Sequence, residues 1–91
     1  MKAGYVKYRI ELKPKAVNYL RSLPKSDAAR MANALESLCD NLSGDVKKLT
    51  NFSPEYRLRV GNYRALFEIE TPDLVMIYRI KHRKEIYKRG T

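Results

Sequence analysis

Arg57, Arg59 and Arg64 stand in the segment Glu55–Glu68 at a spacing that could hold an anion. Gly61-Asn62 reads as a two-residue turn between strands whose apolar residues alternate, so the segment is expected to be a β-hairpin. In that register Val60 faces Tyr63, Leu58 faces Ala65 and Tyr56 faces Phe67. Arg59 then lies directly opposite Arg64, with Arg57 two residues along on the same face. Like charges placed opposite one another cost a strand pair roughly 0.2–1 kcal/mol, and a sequence chosen for sheet stability alone would avoid them. Arginine is also a common solvated residue on an open sheet face, where its head can splay into water. All of these residues are Arg rather than Lys, however, and guanidinium is a planar, permanently charged fork that matches phosphate oxygens. The hairpin therefore reads as a phosphate clamp.

Arg83 adds a further cation near the C-terminus, and Tyr56, Tyr63, Tyr78 and Tyr87 interleave with the arginines. That mixture suits single-stranded nucleic acid, where guanidiniums hold phosphates and rings stack on bases. Alternation puts Tyr56 and Tyr63 on the core face, which leaves Tyr87 as the better candidate for contact with substrate. Lys47, Lys48, Lys81 and Lys84 are candidate RNA contacts, and Lys47 and Lys48 also serve solubility. If the phosphate is cleaved, RNA supplies its own nucleophile in the 2′-hydroxyl. Three tasks remain: a base for the 2′-OH proton, cations for charge on the phosphoryl oxygens, and an acid for the departing 5′-oxygen. Arginine fits the second task and not the first, because it holds its proton too tightly. His82 and Tyr87 are the titratable groups of the C-terminal cluster suited to proton transfer, and His82 reads equally as a strand-end histidine hydrogen-bonded to backbone.

The remaining chemistry is sparse. One His, one Cys and scattered carboxylates give no metal-ligand spacing, and there is no Gly-rich phosphate loop, so neither a metal nor another cofactor is expected. Cys39 falls beside the apolar face of its segment and reads as an inert thiol in a reducing compartment. No apolar run approaches the ~18 residues of a membrane span, and the N-terminus lacks the apolar stretch of an export signal, so a cytoplasmic protein is expected. Net charge is +9, with +3 in residues 1–46 and +6 in residues 47–91, which favours a polyanionic partner bound by the C-terminal half.

The elements that must position these residues fit one domain, residues 1–91. Tyr5 to Leu12 alternates as a half-buried strand with Val6, Tyr8, Ile10 and Leu12 inward. Pro14 opens a short helix that Pro24 ends, with Ala16, Val17, Leu20 and Leu23 at helical spacing. Ser26 or Asp27 can cap a second helix carrying Met31, Ala34, Leu35, Leu38 and Leu42, stopped by Asn41-Leu42-Ser43-Gly44. Asp45 to Pro54 reads as a loop-like connector. After the hairpin, Thr71-Pro72-Asp73 is a turn and Leu74 to Lys81 a central strand whose register against its neighbour stays open. The order β-α-α-β-β-β predicts an α+β domain, an N-terminal strand and helical hairpin packed on a small, mostly antiparallel curved sheet.

Lys47-Lys48-Leu49, Tyr56 to Arg64, Phe67-Glu68-Ile69 and Ile80 to Arg83 with Tyr87 together resemble the RelE/ParE toxin superfamily, in its RelE branch. The resemblance covers most of the chain. It implies the toxin of a type II toxin–antitoxin pair, acting without a metal in the A site of the small ribosomal subunit to cleave translated mRNA. By motif it places functional cations at Arg57, Arg59, Arg64 and Arg83 and the functional tyrosine at Tyr87. Some members of the family carry Lys at the positions of Arg57 and Arg59. The implied partners are a RelB-like antitoxin, forming a toxin–antitoxin hetero-oligomer, and the ribosome with its mRNA. The alternative is a non-catalytic toxin of the ParE kind that binds DNA gyrase.

Overall fold

A computed structural model of the chain describes residues 4–86. Its elements are β1 (Arg9–Leu12), α1 (Pro14–Ser22), α2 (Lys25–Ser37), β2 (Val46–Lys48), β3 (Tyr56–Val60), β4 (Tyr63–Glu70), β5 (Leu74–His82) and α3 (Arg83–Ile86). The strands form a five-stranded sheet in the order β1-β5-β4-β3-β2. β1 runs parallel to β5, and the other neighbours are antiparallel. This is the α+β arrangement expected, with one added strand, β2, and an added short helix, α3. Val46–Lys48, read as loop, pairs with Tyr56–Leu58 as an edge strand. Three residues are too few for a periodicity signal, so only the partner strand reveals them.

The hairpin has the expected register: Tyr56 opposite Phe67, Leu58 opposite Ala65, Arg59 opposite Arg64 and Val60 opposite Tyr63. Gly61 at φ +60 supplies the turn conformation that a side chain would disfavour. The like-charge penalty is outweighed on the other face of the sheet. Leu58, Ala65, Phe67, Val75, Ile77 and Ile80 are buried there with Ala16, Met31, Leu35 and Leu38 of the helical layer. Burying one large apolar side chain contributes about 1.5–3 kcal/mol, several times the cost of one opposed arginine pair. The sheet is thus fixed by its helix-covered face, which leaves the opposite face free to carry charge.

β5 is paired on both sides, and β4 is the middle strand. The register of β4 against β5 shifts between Leu66 and Phe67: Leu66 pairs with Arg79 and Phe67 with Ile77, so Tyr78 is the extra residue. This bulge lets Ile77 and Ile80 both reach the core, and it explains why simple alternation leaves the strand's faces undecided.

The helices follow their proline punctuation. Pro14 occupies the first turn of α1, while Pro24 is the residue that precedes α2. No side chain caps α2; Asp27, expected as a possible cap, lies in the first turn, where its charge favours the positive helix end. α2 ends at Ser37 with Leu38 as its C-cap, short of the expected stop at Asn41–Gly44, so Leu42 lies beyond the helix, where Asn41 and Leu42 take positive φ (57° and 59°). β1 is shorter than its alternating pattern, because only Arg9–Leu12 find partners on β5 while Lys7 makes a single bridge to Asp40. Cys39 is half-buried. None of the described helices is long and apolar enough to cross a membrane.

Candidate functional site

Strand alternation builds the candidate site on the sheet face turned away from α1 and α2. Residues opposite one another across neighbouring strands share a face, and the pairings give two rows. The first runs Lys47, Arg57, Leu66, Arg79 across β2, β3, β4 and β5. The second runs Arg59, Arg64, Lys81 across β3, β4 and β5. Six cations therefore surround Leu66, which is 6% exposed beneath them. Arg79 belongs to this face although the sequence did not single it out. The bulge at Tyr78 hid it, since its side could be assigned only once the register was known.

Arg64 is the buried member of the cluster, at 6% exposure. Its Nη1 donates to the carbonyl oxygens of Gly61 (3.2 Å) and Tyr63 (3.1 Å), so it braces the hairpin turn. Those bonds occupy one nitrogen, and the guanidinium keeps donors on Nε and Nη2. The N–H of Arg83 donates to the carbonyl of Asn62 at 2.7 Å, which brings the start of α3 to the same turn.

Asp45, which the sequence reading left inside a connector, supplies the negative charge that relieves the opposed arginines. Its Oδ2 lies 3.0 Å from Arg59 Nε, and its Oδ1 lies 3.4 Å from Arg57 Nη1. The pair is brought close by Gly44, whose φ is +133 and where an added Cβ would lie 2.9 Å from Leu58 Cδ1. Gly44→Ala is therefore expected to cost about 1–3 kcal/mol and to pull Asp45 off β3, measurable as a lowered urea midpoint.

Lys48 and His82 are not brought to this face. Lys48 pairs with Tyr56 and holds its ammonium 6.0 Å from that ring's centroid. His82 pairs with Tyr63 and packs edge-on against its ring on the side of the core, with centroids 5.4 Å apart. The N–H of Lys84 donates to His82 Nδ1 at 3.2 Å, the backbone-bonded state that was one of its two readings. Tyr56 stacks on Phe67 and Tyr63 meets Tyr19, so both rings pack with the core as expected. Lys84 is exposed on α3. Tyr87 lies outside the described residues.

α3 is tied down by Glu85, whose Oε1 accepts from the His82 N–H (2.9 Å) and the Tyr19 hydroxyl (3.0 Å). These bonds, the backbone one foremost, hold the Glu85 carboxyl below the usual carboxylate range, while burial and then Glu85 itself push the Tyr19 phenol up. A depressed carboxyl contributes stability above its unfolded pKa and loses it as pH falls through the folded value. α3 should therefore stay docked at neutral pH and loosen in acid. The His82 amide resonance is expected to titrate with that low value, and Glu85→Gln to abolish the titration.

A concave cavity of about 620 Å³ adjoins the cationic rows on the same face, lined by Phe52, Leu66, Glu68, Tyr78, Arg79 and Lys81 among others. Phe52 is an exposed ring at 46%. Burial and the hydrogen bond to Glu70 push the Tyr78 phenol up, so this hydroxyl stays protonated and donates to Glu70 Oε2. Among the described residues no group of three or more His, Cys, Asp or Glu could hold a metal ion. The arrangement offers a permanent, multi-stranded cationic surface beside a partly aromatic cavity, which suits phosphates flanked by bases.

A family profile described as ParE toxin of type II toxin-antitoxin system, parDE, matches residues 10–87. Toxin RelE3 of Methanocaldococcus jannaschii is 42% identical over 48 residues, 53% of each chain. Putative toxin RelE1 of the same organism is 27% identical over 88 residues, 91% of this chain and 98% of the relative. Among solved structures, the RelB–RelE antitoxin–toxin complex from Methanococcus jannaschii superposes with a TM-score of 0.71 at 30% identity, covering 88% of this chain and 98% of the other. The toxin–antitoxin complex RelBE2 from Mycobacterium tuberculosis gives 0.73 at 26% identity, over 86% and 100%. With the match spanning nearly all of β1 to α3 and the fold shared, the chain belongs to the RelE/ParE superfamily of type II toxin–antitoxin toxins.

Proposed function

We propose that this toxin is a ribosome-dependent endoribonuclease that cleaves mRNA in the A site of the small subunit. The observation that carries the reading is the cationic face itself, Arg57, Arg59, Arg64, Arg79, Lys47 and Lys81 gathered on one side of the sheet by strand register. The 2′-oxygen attacks the adjacent phosphorus while the bond to the 5′-oxygen breaks, leaving a 2′,3′-cyclic phosphate and a 5′-hydroxyl. Arg57, Arg59 and Arg64 stabilise charge on the phosphoryl oxygens, which a fixed guanidinium does without reorganising during reaction. Arg83, at the hairpin turn, extends the phosphate contacts, and Lys84 meets the RNA backbone from α3. Tyr87 takes part in proton transfer. The nucleophile belongs to the RNA and the cationic charge to the arginines, so the reaction needs no metal.

A RelB-like antitoxin is the proposed partner, as in the RelB–RelE complexes that this fold resembles, and it silences the toxin by forming a hetero-oligomer. An acidic or amphipathic segment would complement the basic face. A toxin that acts on ribosomes would act in the cytoplasm. Residues 1–91 are proposed to act as one toxin domain.

The ParE-type profile match motivates the second reading, a non-catalytic toxin that inhibits DNA gyrase. Two assays run side by side separate them. Antitoxin-free protein should stop peptide synthesis in a reconstituted translation reaction and leave gyrase supercoiling unaffected. Loss of supercoiling with translation intact would reverse the assignment.

A further inference from the structure

Asp45 sits where an oxyanion would sit. Its two carboxylate oxygens meet two guanidiniums, Arg57 Nη1 at 3.4 Å and Arg59 Nε at 3.0 Å. Its carbonyl oxygen separately accepts from Arg57 Nη1 (3.0 Å) and from the Arg59 N–H (3.0 Å), so this corner is held to β3 through the Asp45 carbonyl, independently of its carboxylate. The carboxylate is therefore not needed to anchor the strand edge. Its side chain is 51% exposed and that of Arg59 55%, which leaves that ion pair screened by water and salt and weak enough to exchange, while the contact to the less exposed Arg57 (19%) is long at 3.4 Å.

Building on the RNA-cleaving reading, we infer that Asp45 is a built-in phosphate surrogate. Its carboxylate shields Arg57 and Arg59 in the free protein, and the RNA backbone displaces it on binding. Shielding has two consequences. The guanidiniums stay turned towards an oxyanion position rather than splaying apart, and the free face attracts stray single strands less than its arginines would alone. The displacing ligand is a phosphodiester rather than the carboxylate of another protein, because the cations continue beyond the Asp45 corner through Arg64 to Lys81, a track for repeated negative charge.

The test is binding of a fluorescent single-stranded uridine oligonucleotide by the antitoxin-free full chain over a range of NaCl concentrations. Asp45→Asn is expected to bind roughly threefold to tenfold more tightly at low salt. The slope of log affinity against log salt should steepen by about 0.7 for each phosphate newly engaged. Asp45→Glu, which keeps the charge, should remain close to the parent protein. Asp45→Ser, checked like the others by thermal unfolding, carries the test should the Asn variant fail to fold. Equal or weaker RNA binding by a folded neutral variant overturns the inference, as does a gain confined to a glutamate-rich peptide. The readout is binding alone, so absence of mRNA cleavage with the RNA gain intact would remove the enzymatic reading and leave the shield standing.

Discussion

Replacing Arg64 by lysine is expected to lower single-turnover cleavage of ribosome-bound mRNA by about 100-fold or more while leaving ribosome binding nearly unchanged. The charge survives this substitution and the fork does not. In the parent protein Nη1 braces the carbonyls of Gly61 and Tyr63, which leaves the other donors of the plane to face a phosphoryl oxygen. A lysine ammonium is a single point of charge on a flexible stem and cannot serve the turn and the substrate together. Loss of the brace should also lower stability by about 1–2 kcal/mol, since part-buried hydrogen bonds from a charged group to the turn carbonyls are being removed. Rapid-quench kinetics beside urea unfolding separates the two effects. Unchanged cleavage by folded Arg64→Lys would take Arg64 out of the reaction.

Phe67→Ala has the largest expected effect on stability, about 3–5 kcal/mol. Phe67 is wholly buried, stacks on Tyr56 with ring centroids 5.4 Å apart, and sits at the register shift between β4 and β5. Total stability of a domain this size is about 5–15 kcal/mol, so the variant should be near the limit of folding at growth temperature. Its urea midpoint should fall by roughly 2 M with little change in slope. The same substitution loosens the bulge that directs Arg79, so RNA binding should weaken even where the variant is folded. A loss below about 1 kcal/mol would mean that the core is organised around other residues.

Much of this arrangement was legible because the hairpin is local. Gly61-Asn62 and the alternation around it fixed the opposition of Arg59 and Arg64, and with it the side of the sheet that carries charge. The helices were legible from Pro14, Pro24 and the apolar spacing between and beyond them. What stayed hidden depended on contacts distant in sequence. The strand Val46–Lys48 exists only through its pairing with β3, and that pairing splits Lys47 from Lys48 onto opposite faces. Arg79 was concealed by the bulge at Tyr78. Asp45 carries no local sign that its carboxylate will meet arginines twelve and fourteen residues later, because that meeting depends on the close approach of Gly44 to Leu58. His82 illustrates the converse. Its type fits proton transfer, yet one residue of strand alternation turns it towards Tyr63 and away from the clamp.

The central claim is tested most directly on ribosomes programmed with an mRNA whose A-site codon carries a single 2′-deoxynucleotide at the cleavage position. The account predicts cleavage of the all-ribose message, with a 2′,3′-cyclic phosphate and a 5′-hydroxyl at the new ends, and none of the deoxy message. Equal cleavage of both messages, or ends bearing a 5′-phosphate, would contradict attack by the 2′-hydroxyl.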